Sequence, residues 1–451
     1  MGYNRDITIG SHDKSKGVLM ATSGQRRQEI AAGVWDGVLQ NLYGPSEETL
    51  ARQRARWCAA LEGFELFFND TATTEIYTAP GRAELGGNHT DHQHGYGLAA
   101  AVGLDLVAVA APNDDHYIRV KSWGFNKLDV VDLDQSDLQS GEFTHSASLI
   151  RGLAEGFRSA GREVSGYDAY TTSDVLRGSG LSSSAAFEMG MGAIMNAESG
   201  CGLTAAQVAR LGQYAENIYF GKPSGLLDQL TSALGGVVFA DFEDPETPRV
   251  EKIHAGGLLP EGMSLCVTDT RGSHSELTAE FAAIRGEMEA VAACFDGCKV
   301  LGQVREADFW ARLPALRAQC GDRACLRAVH FFRENARTLA EDRALRSGRF
   351  EEFLRLVRES GHDSFTLCQN VYSGADPHHQ SLSVALALSE QILTGSGGAW
   401  RMQGGGFAGT IQAFVPAACL ARYRAAMDGV FGPGSCHVLA LREQGAGLAI
   451  G

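Results

Sequence analysis

The sequence predicts an α+β protein of two or three domains, with its elements in two layers. Three observations carry this. The chain has 451 residues, more than one ordinary hydrophobic core organises. Strand-like and helix-like runs are mixed along it rather than strictly alternating. Apolar residues make up 44% and charges of both signs are interspersed, as in a soluble globular chain.

The elements follow in order. Met1 to about Gln25 is polar and poorly periodic and predicts a mobile or loosely docked arm. From Arg26 to Glu62, Ile30, Val34, Val38 and Leu39, then Leu50, Trp57 and Leu61, recur at helical spacing. They predict two helices broken at Tyr43-Gly44-Pro45-Ser46, with Ser46 ahead of Glu48 suiting a helix start. Phe67 to Thr78, FFNDTATTEIYT, looks like translated sequencing-adapter DNA. Taken as protein it suits a strand, and no function is assigned to it. Gly97–Ala111 and Ile118–Ser122 read as strands, Ser146–Gly161 as a helix, and Tyr167–Ser173 as a strand running into Gly178. Ser182–Glu198 and Thr204–Phe220 read as helices, Val237–Asp241 and Met263–Asp269 as strands, and Thr278–Phe295 as a long helix. Further helices fill Glu306 to Leu393, with a loop near Gly374–His379. Trp400–Gln403 and Ile411–Val415 flank a glycine triplet, and a helix over Cys419–Val430 precedes a last strand, His437–Leu441. No repeat recurs at a fixed period.

Composition excludes some functions. A net charge of -15 argues against nucleic acid as a partner, because neutralising phosphates needs a basic face. The ten cysteines are scattered, with Cys294 and Cys298, and Cys320 and Cys325, the nearest pairs. No histidine spacing completes a zinc pattern, so reduced thiols in a cytoplasmic protein are expected. No N-terminal run suits a signal peptide and no stretch reaches about 18 apolar residues, so no membrane association is expected.

Three strings carry chemistry. Pro80 to Gly97, PGRAELGGNHTDHQHGYG, sets an arginine, a glutamate, an aspartate and three histidines among five glycines. It reads as a loop holding charge on tightly bent backbone. Arg177 to Ala186, RGSGLSSSAA, is a glycine-serine turn entering a helix, where unpaired N–H groups and the helix dipole favour an anion. It lacks the G-K-S/T ending of a Walker loop. Met402 to Gly409, MQGGGFAG, is a second glycine cluster that by itself suits a hairpin or bulge.

Together these strings resemble the three motifs of the galactokinases, within the superfamily that also holds homoserine kinase and mevalonate kinase. The resemblance spans roughly Pro80 to the C-terminus. It implies a two-domain kinase fold: an N-terminal arm and helices over 1–62, a domain over 63–255 like the second domain of ribosomal protein S5, and ferredoxin-like layers over 256–451. The active site would lie between the two domains.

The implied reaction is transfer of the γ-phosphoryl group of ATP, with Mg2+, to the anomeric hydroxyl of galactose. The implied partners are therefore a small sugar and ATP, and a monomer is expected. The catalytic pair would be Arg82 and Asp228, the latter in Gly221 to Gln229, GKPSGLLDQ, where Ser224 stands for the family's usual Cys. A carboxylate can accept or orient a poorly nucleophilic hydroxyl, and an adjacent arginine keeps it ionised and offsets phosphoryl charge.

Nucleotide phosphates would lie on Gly178, Ser179, Gly180, Leu181, Ser182, Ser183 and Ser184, with Ser184 and Glu216 as oxygen ligands for Mg2+. The sugar would meet Glu84, Asn88, His89, Asp91, Gly225 and Phe281. Two signature positions are exchanged: Glu84 stands where the family has Asn, and Asn88 where it has Glu. Phe281 stands for a sugar-contacting Tyr, and His92 for the Tyr that follows the family's H-T-D. Glu84 is expected to supply the carboxylate that Asn88 lacks. These departures keep two alternatives open: a kinase of another aldose, and a sugar- and ATP-sensing regulator without catalysis. His89, His92 and His94 read as polar loop residues rather than metal ligands.

Overall fold

The computed structural model describes residues 21–68, 71–135, 137–139, 141–175, 180–222, 224–272 and 277–451. Its strands, in chain order, are β1 (Glu75–Gly86), β2 (Tyr96–Pro112), β3 (Tyr117–Ser122), β4 (Leu128–Asp132), β5 (Tyr167–Ser173), β6 (Val237–Asp241) and β7 (Arg249–Ile253). Then follow β8 (Met263–Asp269), β9 (Ala399–Met402), β10 (Thr410–Pro416), β11 (Cys436–Leu439) and β12 (Gly447–Ile450).

The alanine- and valine-rich run of β2 is the longest strand and the axis of the first sheet. Its second half pairs with β5 and its first half with β6, while β1 runs along both. The path is β12-β1-β2-β5-β3-β4, with β6 and β7 branching from β2. β3 and β5 are parallel and the other pairings antiparallel. The second sheet has the order β11-β8-β10-β9.

Helices Ser146–Ser159, Ser183–Glu198, Ala205–Tyr214 and Leu227–Leu234 bury Ile150, Phe157, Met189, Ile194, Val208 and Leu230 against the first sheet. This core reaches Leu265, Val267 and Phe414 of the second sheet, so the two halves share apolar contact. Among the described residues no helix is long and apolar enough to cross a membrane.

Several expectations are corrected. The stretch Pro80–Gly86 is strand, not loop: Ala83 and Leu85 are buried in the core, and β1 pairs with β2 through Gly86 despite its glycines and charges. The loop begins at Gly87. The arm ends earlier than Gln25, because Thr22 caps a helix over Ser23–Ala31, its hydroxyl accepting from Gln25 N; residues 1–20 lie outside the described set. Three helices then precede β1, the third (Glu47–Phe67) capped by Ser46.

The expected two layers become three over β1, β2 and β5. There Leu50, Trp57, Leu61 and Phe64 cover Ile76, Val107, Val109 and Tyr170 on the far face. From Glu75 on, the FFNDTATTEIYT run is the start of β1, with Ile76 opposite Ile450. The strands β4, β7 and β12 were not foreseen. The last of these returns the C-terminus to the edge of the first sheet. Just before it, Ala440 O accepts from Gly103 N and Arg442 N donates to Ala101 O, tying the C-terminal segment to the middle of β2.

Candidate active site

Arg82 and Asp228, 146 positions apart, form a two-point ion pair: Nε to Oδ1 at 2.7 Å and Nη2 to Oδ2 at 2.9 Å. The register of β1 slips between Pro80 and Arg82, and such a slip re-aims a side chain. Arg82 N donates to Leu181 O at 3.1 Å, which pins the strand to the glycine-serine turn. Gly81 is needed there, since a Cβ would stand 2.9 Å from Leu181 O.

Asp228 lies in the first turn of Leu227–Leu234. Ser182 Oγ also donates to its Oδ2, and Arg82 Nη1 donates to Gly180 O. Burial raises the carboxyl's pKa, but the Arg82 charge and these hydrogen bonds outweigh it and hold Asp228 below the usual carboxylate value. The pair is asymmetric in exposure: the Arg82 side chain is 7% exposed and the Asp228 side chain 33%, so one face of the carboxylate stays open.

The turn leads straight into the Ser183–Glu198 helix, with Gly180 at φ 69° and Ser182 at φ 58°. Ser182, Ser183 and Ser184 are half-buried at its N-terminus and Leu181 is fully buried. Gly178 and Ser179 lie outside the described residues. Ser184 Oγ donates to Glu216 Oε1 at 2.9 Å, so the two expected metal ligands touch. Glu216 is 1% exposed and sits in a π-helical turn, Ala215–Phe220, that follows Ala205–Tyr214. Lys222 Nζ reaches the same Oε1 at 2.7 Å, and Gln229 Nε2 bridges Glu216 Oε2 (2.9 Å) and Glu188 Oε2 (3.0 Å). Burial, then the Glu216 charge, pushes Glu188 well above the carboxylate range.

The second glycine cluster closes this loop from the other sheet. Gln403 Nε2 donates to Gly180 O at 3.2 Å. Gly180 and Gly404 pack backbone to backbone, since a Cβ on Gly404 would lie 3.1 Å from Gly180 Cα. The site therefore stands where the two sheets meet.

Among the residues expected to meet the sugar, Glu84 and Asn88 touch. Asn88 Nδ2 donates to Glu84 Oε1 at 3.0 Å and to Gly404 O at 2.7 Å, and Asn88 Oδ1 accepts from Asn370 Nδ2 at 2.9 Å. Arg401 Nη2 donates to the same Glu84 Oε1 at 2.8 Å. Burial pushes Glu84 up to about 7, against the pull of Arg401 and then Arg82. Asp91 is likewise raised by burial to about 6, although His92 N donates to its Oδ1 at 2.8 Å. Gly225 lies flush on Asp91, where a Cβ would come within 1.6 Å of Oδ2.

His89 Nε2 contacts Gly405 O at 3.0 Å and its Nδ1 contacts His92 Nε2 at 3.3 Å; burial lowers His89 to about 4. Phe281 packs edge-on against Phe407, at 5.3 Å between ring centres, and over Gly405. The predicted residues thus converge, apart from the two outside the described set.

Sequence reasoning missed the supports. Glu334 Oε1 accepts from Gly87 N (3.2 Å), Asn88 N (3.3 Å) and Ser360 Oγ (2.8 Å), and His330 Nε2 contacts Asn88 O at 2.9 Å. Arg401, Glu188, Lys222, Gln229 and Asn370 were also unassigned. Only Lys222 and Gln229 had a signal, their place inside the GKPSGLLDQ string.

Comparison with known proteins identifies the family. Residues 62–112 match the family model of the galactokinase galactose-binding signature, and residues 148–236 that of the GHMP kinases N terminal domain. The chain is 33% identical over 361 residues to a galactokinase of Streptomyces coelicolor, covering 79% of this chain and 88% of that protein. The chain belongs to the galactokinase family.

A galactokinase of Actinobacillus pleuropneumoniae is also 33% identical, over 79% of this chain and 89% of its own length. The fold matches a Lactococcus lactis galactokinase complexed with galactose, with a TM-score of 0.73 and 24% identity over 85% of this chain and 97% of that one. A Methanococcus jannaschii mevalonate kinase shares it at a TM-score of 0.57 and 14% identity, over 81% and 98%. The expected exchange at Glu84 and Asn88 now has a geometry. The two side chains are hydrogen-bonded partners, so the swap leaves one carboxylate and one amide in the same small volume.

Proposed function

We propose that the chain transfers the γ-phosphoryl group of ATP to the anomeric (C1) hydroxyl of galactose, giving galactose 1-phosphate and ADP. The observation that carries this reading is the forked Arg82–Asp228 pair, set between the glycine-serine turn and the sugar loop. Asp228 faces the sugar hydroxyl with its open side and accepts or orients the hydroxyl proton as oxygen attacks the γ-phosphorus. The bond from that phosphorus to the β,γ-bridging oxygen breaks, and ADP leaves. Arg82 keeps Asp228 ionised and places positive charge beside the transferring group.

The helix start at Ser183 and the hydroxyls of Ser182, Ser183 and Ser184 bind phosphate oxygens, together with Gly178, Ser179, Gly180 and the backbone of Leu181. Glu84, Asn88, His89, Asp91, Gly225 and Phe281 form the sugar side. Asn88 contributes by holding Glu84 and Gly404, since its amide is already committed there.

Ser184 and Glu216 present a hydroxyl and a buried carboxylate 2.9 Å apart, a donor set that suits Mg2+. When bound, the ion would neutralise phosphate charge. The Lys222 ammonium, now on Glu216, would give way to it. The limits at 62/63 and 255/256, a monomeric state and a cytoplasmic location belong to the same proposal.

The test is initial-rate ADP release over a panel of aldoses. Galactose should turn over fastest. Preference for another aldose would overturn the substrate, and no turnover with any would overturn the reaction.

A further inference from the structure

Away from this site, the helices Asp322–Arg346 and Phe350–Asp363 border an open surface cleft of about 550 Å³. Arg333 and Arg337 line it from the first helix, and Arg355, Arg358 and His362 from the second. The last three recur at helical spacing on one face, opposite the buried Phe353, Leu356 and Val357. Two carboxylates also line the cavity. Asp363 pairs with Arg333 (3.5 Å) and Arg337, and Glu359 with Arg355. Arg358 donates to the carbonyl of Gly398 at 2.8 Å.

Four guanidiniums line the cavity with two carboxylates, and the buried Glu334 behind it also pairs with Arg337, which leaves an excess of one positive charge in a chain of net charge -15. Arginine forks match phosphate oxygens, and the volume suits a small molecule.

We propose that this cavity binds a phosphate-bearing small anion and couples its occupancy to the sugar loop. The coupling path is short. Arg337 bridges Asp363 and Glu334, and Glu334 Oε1 holds Gly87 N and Asn88 N at the start of the loop. An anion on Arg333 and Arg337 competes with Asp363 for Arg337 and so changes the hold on Glu334. The coupling must be reciprocal in binding terms.

The experiment uses the full chain and the double variant Arg333→Ala/Arg355→Ala, whose side chains are half exposed. Calorimetric titration with inorganic phosphate and, separately, glucose 6-phosphate distinguishes a free-phosphate site from a phosphosugar site. Either ligand should bind the native chain at least about tenfold more tightly than the variant, a difference of about 1.4 kcal/mol. Equal affinities would overturn the site. Arg333→Lys/Arg355→Lys, which keeps charge but loses the fork, should fall between, and a failure to separate from the alanine pair would leave no role for charge here. Without added anion the alanine pair should turn over galactose as the native chain does. The tighter ligand should shift the KM for galactose in the native chain and not in the variant. A native KM unmoved by bound anion would overturn the coupling. The titrations need no turnover, so they stand apart from the kinase assay.

Discussion

Replacing Glu84 by glutamine removes one negative charge and almost no volume. The side chain is 11% exposed, and its Oε1 accepts from both Asn88 and Arg401. A hydrogen bond to a charged acceptor is worth roughly 1.5–3 kcal/mol. If the carboxylate serves the sugar, KM for galactose should rise about 10- to 100-fold at about pH 8, since each 1.4 kcal/mol is tenfold.

The effect must depend on pH. Burial holds Glu84 near 7 and Asp91 near 6, so both gain charge as pH rises through those values. In the native chain kcat/KM should climb through both steps. In Glu84→Gln only the Asp91 step should remain, and the two proteins should converge at about pH 5.5.

Stability runs the other way. The folded pKa of Glu84 lies above its unfolded value of 4.5, so the folded state keeps a proton that the unfolded state releases. Native stability therefore falls as pH rises from 4.5 to about 7, by at most about 3 kcal/mol, and the glutamine variant escapes that loss. Initial rates of ADP release against galactose from about pH 5.5 to 8.5, with urea unfolding alongside, give both readouts. A variant with native KM and an unchanged pH profile would refute the assignment of Glu84 to the sugar.

Other predictions concern the pair, the glycine and the proposed Mg2+ ligand Glu216. Asp228→Asn keeps the shape but not the charge and should lower kcat by about 10²–10⁴ with little change in KM; a native kcat would remove Asp228 from the chemistry. Because Asp228 is held below the usual carboxylate value, kcat should show no acid-side loss from it above about pH 5. The stability from its pairing is present above the unfolded value of 3.8 and is lost as pH falls through the lowered folded value. Gly225→Ala drives a Cβ into Asp91 Oδ2 and should raise KM for galactose at least about tenfold while leaving nucleotide KM alone; equal shifts in both would point to a general distortion. Glu216→Gln should raise the Mg2+ concentration for half-maximal rate by about tenfold or more, read by Mg2+ titration at fixed ATP; an unmoved titration would place the ion elsewhere.

Much of the molecule was readable locally. Val237–Asp241 and Met263–Asp269 were bounded correctly because an apolar run between turn residues leaves little choice. The break at Gly44-Pro45 and the Ser46 cap were equally plain. β1 was misread in part because glycines and charges in PGRAELGG look like a loop. Burial of Ala83 and Leu85 and the ladder to β2 override that local preference. β7 and β12 escaped because each is short and carries little alternation. They are strands only because β6 and β1 offer open edges.

The site divides in the same way. Arg82, Asp228 and Ser184 could be named from short strings and Glu216 from its spacing to Asp228, because such motifs are carried by local backbone and spacing. Their contacts could not, since Arg82 meets Asp228 across 146 positions and Arg401 meets Glu84 across 317. Residue types and local turns thus determined the family and the reaction chemistry. Only the tertiary structure decided that Glu84 and Asn88 are partners, that a buried Arg401 compensates the carboxylate, and that Glu334 holds the backbone at Gly87 and Asn88. The physical reason is that burial and charge pairing are set by which distant segments meet, and a one-dimensional pattern does not contain that.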